Sequence, residues 1–446
     1  MNFYPLEFDS AGNASVPPQL EQLIAGSKQA GVTDLIFLAH GFRCDTAAAT
    51  ALYTGLLNSL CANLQRAEFA PALAGRAFAT AGVYWPSKEF RESRGVTMSI
   101  HDQLAELRTS CPLEHVPALD HAVSLLDTVK VSRPARDQFV ASVLSTLDDS
   151  PDDPAEGLPL VRQWRGSEVL DKLHAPTVPF RGNDEGGVES LSLVNPILDS
   201  IGTFLNFMSW SAMKNLSGRV GANGVALAVR TCQRELPGVR IHLTGHSLGG
   251  RLMAACCKSL AGEGASRIHS LALLEAAFSH FGFSGDAGFG QPGFFREVIR
   301  SQIVEGPLIA TFSKNDAVVG TAYAVASRLA HDRLQSIGDK SDPYGGIGHN
   351  GAQRTPESIA IDLNQAGQPY HFRSGIVTCL NGSSGLINGH SDVTNPHVTY
   401  AIASAITSSL EPPQPLPFAE ASSPIPPPGP KPPPLPLALP ALPDTE

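Results

Sequence analysis

One stretch constrains this chain more than any other: Arg240-Ile-His-Leu-Thr-Gly-His-Ser-Leu-Gly-Gly-Arg251. An apolar alternation runs up to Gly245, and then come His246, Ser247, Leu248, Gly249 and Gly250. After them Leu252 to Cys257 is small and helical in character. That order is strand, sharp turn, helix, with a serine at the turn. It matches G-x-S-x-G, where a strained serine projects its hydroxyl from the end of a sheet. Glycines flank it because strand and helix crowd together there and a Cβ would clash. The bland alternative is a tight turn. The strand before and the helix after favour Ser247 as a nucleophile.

A chain that uses such a turn needs a parallel sheet around it, and the sequence provides the pieces. Asp34 to Ala39 is a continuous apolar run, as in a strand buried on both faces. It ends in His40-Gly41-Phe42. A helical pattern over 46–64 and a strand pattern over 78–85 follow, and Pro86 stops the latter. Strand, helix, strand is the repeating unit of a parallel sheet. The same logic resumes with a helix over 220–236, strands over 268–274, 308–312 and 372–380, and helices over 321–334 and 396–410. Pro17 and Pro18 open a helix over 19–30 that Gly31 closes. The first residues are otherwise weakly patterned. The expected fold class is α/β, with a core from 1–86 and 216–410.

Between 87 and 215 the pattern changes to polar helical pieces, 101–108 and 137–147, alternating with loops. That length is too great for one connection in a compact sheet and reads as an inserted cap. Within it Leu191 to Met213 is strongly apolar, and Asn195, Pro196, Asp199 and Asn206 interrupt it as a membrane span. Such a run either packs the cap onto the sheet or lines an acyl-chain site. Residues 411–446 are dominated by proline, which can build neither a ladder nor a core. They read as a disordered or polyproline II tail, and Pro426 to Pro434 offers a segment for an aromatic groove on a protein partner.

Composition narrows the function. The chain has 446 residues with a net charge of -10 and no Lys/Arg run, which argues against nucleic acid. Seven scattered cysteines without CxxC form neither a disulfide framework nor a zinc site, so no metal and no cofactor are expected. No basic region precedes an apolar stretch at the N-terminus, so the expected location is the cytoplasm, with no stable membrane span. Gly346, Gly348 and Gly351 fit GxGxxG literally, but no strand precedes them, and a dinucleotide site is discounted.

A serine hydroxyl needs a base and something to orient that base. In a sheet of this kind the partners come later, at the ends of later strands, in the order Ser, acid, His. Asp316 turns off the end of 308–312 and is the expected acid; its bland alternative is a capping residue. Glu275, directly after 270–274, is its rival. Among 14 histidines, His390 and His397 follow the last strand. His390 lies in a loop with glycine freedom and is preferred as base, since His397 falls inside a helix start. Asp392 reads as a cap for that helix. The oxyanion of an acyl intermediate needs preorganised N–H donors. The Leu248 amide at the helix start and the Phe42 amide after His40-Gly41 fill those places, although His40-Gly41 also reads as a plain strand-end turn.

Taken together these residues resemble the α/β-hydrolase superfamily, in particular its lipase and esterase-like members. Gly245 to Gly250 is similar to the lipase-type elbow, His40-Gly41-Phe42 to the oxyanion loop, and Phe312 to Asp316 and Gly389-His390 to the acid and base loops. The resemblance spans 31–85 and 216–410 and leaves out the insertion and the tail. It implies an eight-stranded, mostly parallel sheet. It also implies hydrolysis of an ester, amide or thioester through an acyl-enzyme, with a small-molecule or lipid acyl ester as substrate. Thioesterase or acyltransferase action uses the same triad, and a non-catalytic interaction module with a partner-binding tail is the remaining alternative.

Overall fold

Asp34 to Ala39 shows why the molecule is layered as it is. Side chains of a strand alternate between the two faces of its sheet. Leu35, Phe37 and Ala39 enter one apolar cluster, and Ile36 and Leu38 enter another on the opposite face. A strand that is apolar at every position therefore needs helices on both sides. The computed structural model describes residues 1–87, 99–111, 113–147, 158–173, 196–262, 267–288, 290–319 and 344–408. Among them are eight strands: β1 Asn2–Glu7, β2 Asp34–Ala39, β3 Phe78–Tyr84, β4 Arg240–His246, β5 Ser270–Leu274, β6 Leu308–Phe312, β7 Ser358–Asp362 and β8 Val377–Asn381. They form one sheet in the order β1-β3-β2-β4-β5-β6-β8-β7, and each adjacent pair is parallel.

Register decides where chemistry can be assembled. Ala39 pairs with Gly245, His246 with Leu274, Leu274 with Thr311, and Phe312 with Asn381. The carboxyl ends of β2, β4, β5, β6 and β8 thus stop at nearly one level, and their loops share one edge of the sheet. This is the edge on which open α/β sheets place ligands.

Two strands escape the sequence reading. β1 lies in the weakly patterned start, where its burial is confined mainly to Leu6. β7 lies between the helix expected over 321–334 and the strand expected over 372–380, where the sequence shows no strand pattern, and it is exposed at three of its five positions. Both are edge strands, with little burial to impose a pattern. The helix expected over 321–334, the residues after it up to 343 and the tail at 411–446 lie outside the described residues.

The segment between β3 and β4 is helical where described. Helices Ile100–Ser110, Val116–Ser124, Arg133–Leu144 and Gly166–Leu173 build a cluster of their own around Leu104, Leu119, Phe139 and Leu170. Helix Pro196–Arg219 carries most of the apolar run read from the sequence and passes through the expected boundary at 215. Ile201, Phe204, Leu205 and Met208 join the insertion's cluster, whereas Trp210, Met213 and Leu216 join the cluster under the sheet. The described part of the run is thus spent on packing, at about 1.5–3 kcal/mol for each large side chain buried. A single π-helical turn, Val220–Val225, then links it to helix Ala226–Glu235. Among the described residues no helix is long and apolar enough to cross a membrane.

Candidate active site

Ser247 has φ 57° and ψ −125°, a conformation that costs a non-glycine residue about 1–3 kcal/mol. Neighbouring backbone holds it there. Its amide donates to Leu274 O at 3.0 Å, and its carbonyl accepts from Gly250 N and Ala277 N at 3.0 Å each. The flanking glycines are required by contact. A Cβ on Gly245 would fall 2.6 Å from Gly250 N, and one on Gly249 2.6 Å from the Ala39 carbonyl carbon. Helix Leu248–Ala261 begins at the next residue.

The partners arrive from two later strands. His390 Nε2 lies 2.9 Å from Ser247 Oγ, and His390 Nδ1 lies 2.8 Å from Asp316 Oδ2. Asp316 is fully buried, and its other oxygen accepts the Val319 amide at 3.0 Å. His349 Nδ1 donates to the Asp316 carbonyl at 3.0 Å. The loop of His390 is held by His246, whose Nε2 donates to His390 O at 2.7 Å while the two rings lie 4.7 Å apart. Burial, and then the charge His390 can carry, pushes the His246 imidazole down to about 3. It therefore stays neutral beside the base.

The loop after β2 completes the surroundings. A Cβ on Gly41 would meet Ser247 Cβ at 2.7 Å, so only glycine lets this loop approach the serine. His40 is pinned by Tyr53, whose hydroxyl accepts the His40 amide at 3.0 Å, and by Trp85. The Trp85 ring stacks on His40 at 5.5 Å, and its Nε1 donates to His40 O at 3.0 Å. Burial pushes the His40 imidazole down to about 4. The Phe42 ring meets Trp210 edge-on at 6.0 Å, and the Arg43 guanidinium lies 5.0 Å from its centre. Among the described residues the amides of Phe42 and Leu248 bond no protein acceptor.

Of the residues singled out from the sequence, Ser247, Asp316 and His390 come together, with Phe42 on the loop after β2 and Leu248 at the helix start beside the serine. His397 does not join them: its Nδ1 accepts the Ala366 amide at 3.0 Å. Asp392 takes the Asn388 amide at 3.0 Å, and the helix cap falls to Asn395 instead. Glu275 sits at the end of β5, fully buried, and bonds no part of His390. His246 and Trp210 were not singled out for roles at the site. His246 lies inside the elbow and Trp210 inside a run that reads as packing, so neither carried a signal of its own. The turn Ile347–Asn350, inside the discounted glycine motif, braces the acid loop, with Gly348 O accepting Ser313 N at 3.0 Å. Among the described residues no group of three or more His, Cys, Asp or Glu is arranged to hold a metal ion.

No protein-family model matches the chain, and no curated protein and no solved structure matches it.

Proposed function

We propose that the chain is a serine hydrolase of the α/β-hydrolase type that cleaves a carboxylic ester, of a lipid or another acyl group, through an acyl-enzyme. The observation that carries this reading is the relay from Asp316 Oδ2 through His390 to Ser247 Oγ, at 2.8 and 2.9 Å, ending on a strained serine. A carboxylate only accepts, so His390 Nδ1 holds the proton and Nε2 is free to take the one on Ser247. Ser247 Oγ attacks the acyl carbon as His390 removes its proton. The amides of Phe42 and Leu248 hold the oxyanion that forms. His390 returns the proton to the leaving alcohol, and water then releases the acid by the same steps in reverse order. Asp316 keeps the imidazole in one tautomer and stabilises its charged form.

Ser247→Ala tests the reading. It removes labelling by a fluorophosphonate probe and lowers turnover of short p-nitrophenyl esters by about 10⁴-fold or more. Labelling that persists in the variant rules out Ser247 as the nucleophile.

A further inference from the structure

Among the described residues, Glu275 is the buried acid near the relay that the mechanism leaves idle. It follows β5, between the strand that carries Ser247 and the strand that carries Asp316. Its φ of 44° is unusual for a residue with a side chain. Its backbone is clamped: the preceding carbonyl, Leu274 O, takes the Ser247 amide, and its own amide donates to Thr311 Oγ1 at 3.1 Å. Its carboxyl is fully buried, and neither oxygen has a hydrogen-bond partner. Asp316 is also buried, but its two oxygens take two donors, His390 Nδ1 and Val319 N.

Two carboxylates in one dry region do not both ionise readily. The one that accepts hydrogen bonds takes the charge and the other keeps the proton. We propose that Glu275 and Asp316 form a pair that carries a single negative charge, on Asp316, and that Glu275 is a positioning residue whose ionisation ends the active range on its alkaline side. This rests on the serine hydrolase reading. The surrounding groups agree with it. Burial, followed by the charge of Asp316, moves the Glu275 carboxyl well above the ordinary carboxylate range and outweighs the Thr311 hydroxyl, which pulls it down, while Asp392 near His390 adds to the rise. On the turn against its backbone, His349 is pushed down by burial and by Lys314, so it supplies no charge. On the elbow helix Arg251 lies over Phe294 and Phe295. When Glu275 loses its proton at high pH, a second negative charge appears at the strand end adjacent to that of Asp316, with no hydrogen bond to either of its oxygens. The acid end of the relay is then pushed apart.

Two measurements on Glu275→Gln test this, with Glu275→Met as the variant to use if the amide does not fold. The first is the rate of fluorophosphonate labelling across pH, each protein scaled to its own neutral plateau. Wild type loses rate on the alkaline side by up to about tenfold per pH unit, and the variant holds its plateau further. The second is the thermal midpoint across pH. A raised carboxyl makes folding less favourable as pH climbs from about 4.5 towards its folded value. The midpoint of the variant therefore gains on wild type with rising pH over that window. Superimposable scaled profiles, or a midpoint difference that does not change with pH, overturn the proposal. Wild-type protein that the probe never labels refutes the hydrolase reading instead, and the thermal comparison still decides the protonation of Glu275.

Discussion

His390 stands between an anion and a hydroxyl, and that contact alone decides which of its nitrogens carries the proton. Asp316→Asn keeps the shape of the acid but presents an N–H to His390 Nδ1. The ring then takes the other tautomer, and Nε2 no longer accepts from Ser247. Activity on short esters is expected to fall by about 10³–10⁴-fold with the thermal midpoint changed little. The two late histidines separate in the same assay. His390→Ala removes activity. His397→Ala, which gives up only its bond from the Ala366 amide, stays within a few-fold of wild type. A comparable loss in both variants would contradict the assignment of the base.

Elements meet at the site through Phe42. Its amide is the proposed oxyanion donor, its loop is fixed underneath by Trp85 and Tyr53, and its ring is covered edge-on by Trp210 from helix Pro196–Arg219. That helix has one end in the cluster of the insertion and the other in the core under the sheet. The insertion is thereby coupled to the loop after β2. Trp210→Ala removes a buried ring at a cost of about 3–5 kcal/mol, read by denaturant unfolding. The lost edge contact, worth about 1 kcal/mol, also frees the Phe42 loop, and probe labelling slows by roughly five- to tenfold. Unfolding that shifts while labelling keeps its rate would mean the insertion does not brace the oxyanion loop.

At the scale of the molecule, stability leans on imidazoles kept neutral. His40 and His242 are pushed down to about 4 and His246 to about 3, each first by burial. An unfolded histidine binds its proton near 6.5, so below that pH the unfolded chain takes up protons that the folded chain refuses. The contribution of these rings is therefore full above about pH 7 and falls as pH drops from about 6.5 towards 4, by up to about 1.4 kcal/mol per pH unit for each ring. Asp34 adds to the loss at lower pH. The carboxyl of Asp34, the first residue of β2, is buried, and bonds from His242, Arg76, Arg240 and Thr33 together outweigh that burial and hold it far below the ordinary carboxylate range. Glu275 runs the opposite way and offsets part of the slope. A urea midpoint followed from pH 8 to pH 4 should rise gently down to about pH 6.5, where only Glu275 changes the balance, and decline below it, where the three rings outweigh one carboxyl; a midpoint that does not fall between about pH 6 and pH 4.5 would contradict this.

The sequence by itself determined the parts governed by short-range chemistry. β2, β6 and the elbow were legible because a strand buried on both faces is apolar throughout and because a strained serine needs small neighbours. Asp316 and His390 were legible as strand-end residues in the right order. What only the tertiary structure decided depends on register and burial. β1 and β7 are exposed edge strands, and their residues look like loop. The apolar run near residue 200 reads equally as packing or as a substrate wall until its side chains are seen inside two clusters. Asp316 was preferred over Glu275 from the sequence, but the contact of its carboxylate with His390 Nδ1 is a matter of which strand end lies there. Both are acids at the ends of adjacent strands, and a difference of one strand spacing leaves no mark in the chain.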